Sequence, residues 1–357
     1  MLLSESNDEG LRAACAAWLG DRAVVVKPLA GDAFSGSTVV RVLTGDPEGD
    51  LVLKSFAATA RPRIAWVHGL MGHLRASGCR EVPAVVAARC GGTIVTAADG
   101  SAWEAVRFAA GMATAAPSAA QARAAAATVA RLHVAAATWP TAPARIGVPP
   151  AVARRIEQAV SMLDAGWDRL AANAGGTASG DALGHAMATR VAVAAAMGRE
   201  AGLESALRRV ASERAAPVPL QPVLRDIWWS HVLFAADDPT RVAGVIDFHA
   251  AAIDTPATDL ARLLGSWPRG PLIPLATCWC DAIEAYEATR PLTTEERRLV
   301  PWLDATATIF GLDNWFRWIL VEGRRFERFA PTVERVDRLV RRLPEAVAWL
   351  NAHGAGV

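Results

Sequence analysis

The sequence predicts an α+β fold, with strands gathered in the first third of the chain and helices in the rest. Three observations predict it. Short β-type runs separated by Gly, Asp and Pro turns occupy residues 23–108. Ala-rich stretches with apolar residues at helical spacing occupy most of residues 118–352. Within that helical region, two apolar runs at 232–235 and 242–248 flank a polar turn of Asp237, Asp238 and Pro239, the pattern of a β-hairpin. The chain has 357 residues, 52% hydrophobic and 20% charged, enough for a large core in one two-lobed unit or two domains. A net charge of +1 gives no electrostatic reason to invoke nucleic acid or an anionic membrane surface. The first residues, MLLSESNDEG, carry no basic segment followed by an apolar one, and Arg, His or Gly interrupts every long Ala-rich run. Neither a signal peptide nor a membrane span is therefore expected. The five cysteines are scattered, and Cys278 with Cys280 makes only a lone CxC. Reduced thiols in a cytoplasmic protein are expected rather than a disulfide framework or a zinc site.

The elements follow in order. An amphipathic helix is expected over residues 9–19, ending at Gly20, then β runs at 23–28, 38–43 and 51–56. A Gly/Ser-rich loop, LAGDAFSGST, separates the first two runs, and the turn TGDPEGD the last two. Only two lysines occur, Lys27 and Lys54, every other strong base being arginine. A lysine kept inside the apolar strand LVLKSF therefore invites a functional explanation. Residues 61–77 read as a helix with Ile64, Val67, Leu70, Met71 and Leu74 on one face. That helix holds His68 and His73 but no acidic residue, and His68 reads as a packed or solvent-edge histidine rather than a ligand. Further strands are expected at 84–87, 93–97 and 102–108, with Trp103 in the sheet core.

Ser118 followed by Gln121 signals a capped helix through residue 137, in which His133 is expected to be structural. Residues 149–216 are helical by pattern, broken at the Gly/Ala/Ser-rich stretch 173–184. Helices are also expected at 259–267, 275–289, 294–327 with a possible break at Gly311, and 331–352, with a turn region at 268–274. No internal repeat is evident.

The stretch 221–266 organises the chain. Asp226 lies just before the first hairpin strand and Asp247 at the end of the second, so a hairpin brings them together. One carboxylate can orient a hydroxyl while the other holds a divalent cation on a phosphate, a division of labour found in phosphoryl transfer. Taken singly, Asp226 reads as a turn residue and Asp247 as a strand-end cap. The residues LRDIWWSHVLF…VAGVIDFHAAAIDTPATDLARLL resemble the catalytic core of aminoglycoside-phosphotransferase-like small-molecule kinases, a branch of the protein-kinase-like fold. The family pattern there is HGDxxxxNVL, a hairpin, IDW or IDF, and a later DLA. Asp226, Asp247 and Asp259 match its aspartates. Leu224 stands where the family has His, His231 where it has a metal-binding Asn, and Asp254 falls one residue early.

The resemblance implies two lobes: residues 1–108 as a nucleotide-binding N-lobe of antiparallel sheet plus helix, and 109–357 as a mainly helical C-lobe carrying the hairpin and the acceptor site. It implies an ATP-dependent transfer of the γ-phosphate to a hydroxyl of a small molecule. Asp226 would act on that hydroxyl, and Asp247 with His231 would hold Mg²⁺, or Mn²⁺ if the imidazole ligates directly. Lys54 would bind the α- and β-phosphates, and Gly31, Ser35, Gly36 and Ser37 would let the backbone approach them. SAWEAVRFAAG would be the hinge, with the backbone at Glu104 and Val106 meeting the adenine, and the lobe boundary at 108–111. Such folds usually place a Glu on the helix that follows the Lys strand, and this chain has none. Trp302, Trp315 and Trp318 recur at helical intervals and read as core. Trp315 or Trp318, with Trp228 and Trp229, is the alternative lining of an acceptor pocket, where Asp313, Glu322 and Arg317 offer polar contacts. The rival reading is a catalytically impaired nucleotide-binding or regulatory protein on the same fold. The acceptor and the oligomeric state are open.

Overall fold

The structure, a computed structural model, describes residues 5–22, 24–29, 37–46, 49–164, 166–177, 182–267, 275–326 and 328–353. Helix α1 (Glu5–Leu19) precedes strands β1 (Val25–Pro28), β2 (Val39–Leu43) and β3 (Leu51–Ala57). Helix α2 (Arg61–Ala76), with Pro62 in its first turn, leads to β4 (Ile94–Thr96) and β5 (Ser101–Arg107). Then come α3 (Ala119–Ala137), β6 (Arg145–Gly147), α4 (Pro150–Asp164), α5 (Trp167–Thr177), α6 (Ala182–Ala201) and α7 (Leu203–Ala211). Strands β7 (Val218–Val223), β8 (Val232–Phe234), β9 (Val242–Val245) and β10 (Ala252–Asp254) follow, before α8 (Ala257–Ser266), α9 (Leu275–Glu287), α10 (Thr294–Phe316) and α11 (Phe329–His353). The chain is thus mixed helix and sheet, with an antiparallel N-terminal sheet and a mainly helical remainder.

Two units divide the chain, and the lobe boundary expected at 108–111 falls inside the first. The first unit comprises residues 1–144, 221–253 and 266–291. Its five-stranded sheet runs β1-β2-β3-β5-β4, with neighbouring strands antiparallel among the described residues. Alternation along the strands sorts its two faces. Leu51, Leu53, Trp103 and Ala105 face α1, packing with Leu11, Ala14 and Trp18. Lys54 and Glu104, directly opposite one another across β3 and β5, project from the other face. The strand expected at 84–87 is reduced to a bridge from Val85 to Val106. The outer edge of β5 is shared, its first half taken by β4 and its second by residues 84–86. Helix α3 starts with the expected capping box of Ser118 and Gln121. His133 on α3 is fully buried, its Nδ1 is 2.7 Å from the Tyr286 hydroxyl on α9, and Gln221 Nε2 donates to its carbonyl at 2.6 Å.

The second unit comprises residues 145–220, 254–265 and 292–357. There β6 pairs antiparallel with the first half of β7. Helix α11 packs against α6, α7 and α10, with Arg190 on α6 forming a two-pronged ion pair with Asp337 at 2.7 and 2.9 Å. Helix α10 runs unbroken through Gly311, because the missing side chain lets Leu339 of α11 pack against its backbone. It ends instead in a π-helical turn, Arg317–Val321. Trp302 and Trp315 are core residues, as their spacing suggested. Asp259 is fully buried in α8. The expected break at 173–184 shrinks, since α5 continues to Thr177, and residues 178–181 and the turn at 268–274 lie outside the described residues. No helix among the described residues is long and apolar enough to cross a membrane.

Candidate active site

The hairpin forms as its pattern indicates. Val232 pairs with Val245 and Leu233 with Gly244, and a bulge at Leu233/Phe234 brings Phe234 opposite Val242. Its turn is locked by Asp238, whose Oδ1 accepts from the Thr240 amide at 2.9 Å and the Thr240 hydroxyl at 2.7 Å. The segment after β5 docks on this hairpin through reciprocal 2.9 Å backbone bonds between Met112 and Phe234. The outer ends of the hairpin carry the two candidate aspartates. Both lie at strained backbone: Arg225, just before Asp226, has φ 65°, and Asp247 itself has φ 63°. Left-handed conformations at non-glycine residues cluster where side-chain aim matters more than local comfort.

His231 links the two ends. Its Nδ1 lies 2.9 Å from the Asp226 backbone oxygen. A carbonyl only accepts, so Nδ1 carries the hydrogen and a neutral ring keeps its lone pair on Nε2. That Nε2 lies 3.9 Å from Asp247 Oδ2. The other oxygen of Asp247 receives Lys54 Nζ at 3.1 Å, across 193 residues of sequence, and His249 Nδ1 at 3.0 Å. Burial pushes the Asp247 carboxyl upward, but the His249 hydrogen bond and the charges of Lys54, His231 and His249 hold it far below the usual carboxylate range. It is ionised at any physiological pH.

Behind this pair lies a buried carboxylate that its residue type alone did not assign. Glu104 is 2% exposed. Its Oε2 is 2.7 Å from His68 Nε2 on α2, and its Oε1 is 2.8 Å from His249 Nε2. The second contact is a close charge contact, because the ring N–H points off the line of a good hydrogen bond. His68 Nδ1 sits 2.9 Å from the Thr93 hydroxyl. Burial, acting upward on Glu104, is outweighed by its contacts with His249 and His68, which bring it down to about 2. Burial pulls the His249 ring down, and its contacts with Asp247 and Glu104 overcome this and raise it. The His249 ring also packs on Phe56, with centroids 4.6 Å apart.

The hinge expected at Glu104 and Val106 needs correction. Ala105 and Arg107 bond outward to Val86 and Ala84. By alternation the backbone groups of Glu104 and Val106 turn inward to β3, opposite Lys54 and Val52. The backbone of both is therefore taken up within the sheet. Ser37 is half-buried just before β2, whereas Gly31, Ser35 and Gly36 lie outside the described residues. His68 is packed, as read from the sequence, but it is also a partner of Glu104. His249 was missed. A solitary acid within the apolar strand SAWEAV was the signal that could have found both, since a buried carboxylate must be paired.

Asp247 and His231 form a donor set that fits a divalent cation on a phosphate. The Asp247 side chain is 41% exposed and aims one oxygen at His231 Nε2. Among the described residues no three His, Cys, Asp or Glu side chains are arranged to hold a metal by themselves. A cation here would complete its shell from phosphate and water, as Mg²⁺ commonly does.

Comparison with known proteins accords with this geometry. The family model described as "Phosphotransferase enzyme family" matches residues 25–292. A homoserine kinase of Granulibacter bethesdensis is 32% identical over 116 residues, 32% of this chain and 35% of that protein. A homoserine kinase of Gluconacetobacter diazotrophicus is 36% identical over 89 residues, 22% and 25% of the two chains. The chain thus spans about a third or less of the curated relatives it matches. Among solved structures, spectinomycin phosphotransferase with ADP and spectinomycin is similar at TM-score 0.63 and 11% identity, covering 96% of this chain and 98% of that one. Amicoumacin kinase with AMP-PNP and Ca²⁺ is similar at TM-score 0.60 and 12% identity, with 96% and 94% covered. An aminoglycoside phosphotransferase of Alicyclobacillus acidocaldarius gives TM-score 0.56 and 14% identity, with 96% of each chain covered. At these identities the structural likeness establishes the fold.

Proposed function

The chain belongs to the phosphotransferase enzyme family, and from that premise we propose that it transfers the γ-phosphoryl group of ATP to a hydroxyl of a small molecule. The observation that carries this reading is the Lys54–Asp247 contact, which joins the lysine of β3 to the hairpin aspartate. Lys54 neutralises phosphate charge. Asp226 orients the acceptor hydroxyl and takes its proton as the acceptor oxygen bonds to the γ-phosphorus and the bond to the departing ADP breaks. Asp247, with His231 beside it, would hold a divalent cation, which when bound neutralises charge on the phosphates. Residues 1–108 form the nucleotide side in this scheme, and Ser37, just before β2, would let the backbone approach the phosphates. Homoserine, the substrate named for the curated relatives, heads the list of acceptors to screen, followed by other amino alcohols and by spectinomycin.

Two variants separate the roles. Asp226→Asn should abolish phosphate transfer and leave ATP affinity within a few-fold of the wild type. Asp247→Asn should lose the metal-dependent part of ATP binding. Calorimetric ATP titration with and without Mg²⁺, beside ADP release in an acceptor screen, checks both. Equal binding defects in the two variants would overturn the assignment. The rival reading, a kinase-like protein that has lost turnover, is favoured by Leu224 and His231 and predicts ATP binding with no ADP release for any acceptor.

A further inference from the structure

Helix α2 carries no Asp or Glu, so it has no acid of its own to offer Lys54. It is nevertheless tied to the site along two routes. Arg63 donates from Nε and Nη2 to the His249 backbone oxygen at 3.3 and 3.2 Å. His68 is joined to Glu104, Glu104 to His249, and His249 to Asp247 and to Lys54, whose Nζ lies 3.3 Å from His249 Nδ1. The links through Glu104 and Asp247 have an electrostatic reason, each setting a carboxylate against an imidazole. A fully buried carboxylate needs two cationic or hydrogen-bonding neighbours, and Glu104 finds one on α2 and the other two residues beyond Asp247. Thr93 holds the His68 ring from behind, and Phe56 packs at a tilt against the His249 ring.

We propose that His68, Glu104 and His249 form a positioning relay that couples the placement of helix α2 to the aim of Asp247 and Lys54. None of the three touches the reacting atoms in this scheme. His249 holds Asp247 Oδ1 beside Lys54 and leaves Oδ2 toward His231, and Glu104 with His68 holds His249. The relay rests on the phosphotransferase reading, because what it aims is the carboxylate that would hold the cation. Outer partners of metal-holding side chains commonly set affinity by about 10–100-fold. His68 should therefore matter to cation binding although it contacts neither Lys54 nor Asp247.

The test uses the full chain and compares ATP affinity with and without Mg²⁺ by calorimetry, with thermal unfolding run alongside. Wild type, Glu104→Gln, His68→Gln and the double variant are needed. The ratio of metal-free to Mg²⁺-supported dissociation constants should fall by about tenfold in each single variant. It should fall little further in the double, since one chain is cut once, and metal-free ATP affinity should stay within about twofold. An unchanged ratio in folded variants overturns the relay, and so does an equal loss of metal-free affinity, which would mark general loosening. If Glu104→Gln fails to fold, His68→Gln decides by the same ratio. A wild type whose ATP affinity ignores Mg²⁺ overturns the phosphotransferase reading and the relay with it, whereas insensitive variants beside a Mg²⁺-sensitive wild type overturn the relay alone.

Discussion

Glu104 shows how a single residue's cost of burial becomes a pH dependence. Its carboxyl drops from an ordinary value of 4.5 to about 2 in the folded chain, because His68 and His249 stabilise the charged form more than burial penalises it. Lys54, across the strand pair, Asp247, joined to His249, and Arg63, on the His249 carbonyl, are further charges around this group. A depressed folded value means that the stabilisation is fully present above about pH 4.5 and is lost as pH falls toward 2. The side chain is 3% exposed, so solvent screens the contribution little, and the shift corresponds to about 3 kcal/mol. Glu104→Gln should accordingly flatten the fall of stability between pH 4.5 and 2. Urea unfolding of both proteins across that range measures it. Parallel stability curves would show that the two histidines do not stabilise the carboxylate.

At the scale of elements, two glycines let the β8–β9 hairpin sit close to residues 109–112. Gly111 adopts φ +149°, and a Cβ there would meet the Phe234 oxygen at 2.8 Å and Leu233 Cβ at 3.0 Å. Gly244 similarly leaves room for Ala109. Gly111→Ala should therefore destabilise the protein by about 1–3 kcal/mol, through overpacking and backbone strain together. Gly72, an exposed glycine inside α2 with nothing within 4 Å of its Cβ position, is the natural control. Gly72→Ala should stabilise by about 0.5–1 kcal/mol. Denaturant midpoints of the two variants check the contrast, and equal midpoints would mean that the hairpin does not sit this close to residues 109–112.

For the whole molecule the test is linkage. A ligand that binds only the folded chain stabilises it by about 2.7 kcal/mol at a hundred times its dissociation constant. ATP with Mg²⁺ should raise the thermal midpoint of the wild type and raise it much less in Lys54→Ala. That variant should fold normally without ligand, because Asp247 keeps its contacts with His249 and His231. Equal shifts in both proteins would remove Lys54 from the nucleotide site.

The local sequence determined most of the elements and marked Lys54, Asp226 and Asp247 as candidates for the site. Turn chemistry at Asp237–Pro239, period-2 alternation around Lys54 and the Ser118–Gln121 cap are short-range signals, and each produced the structure it specified. Lys54, Asp226 and Asp247 were legible because their residue types stand out against apolar neighbours at recognisable spacings. The remainder of the site was decided by tertiary structure. Whether the backbone of Glu104 faces a ligand or β3 depends on which strand edge is already occupied, and residues 84–86 settle that from some twenty positions away. The partner of Lys54 was not readable as Asp247, nor the partners of Glu104 as His68 and His249, since the chain separations run from 36 to 193 residues. Charges pair by distance in space, and no periodicity in a sequence encodes that distance.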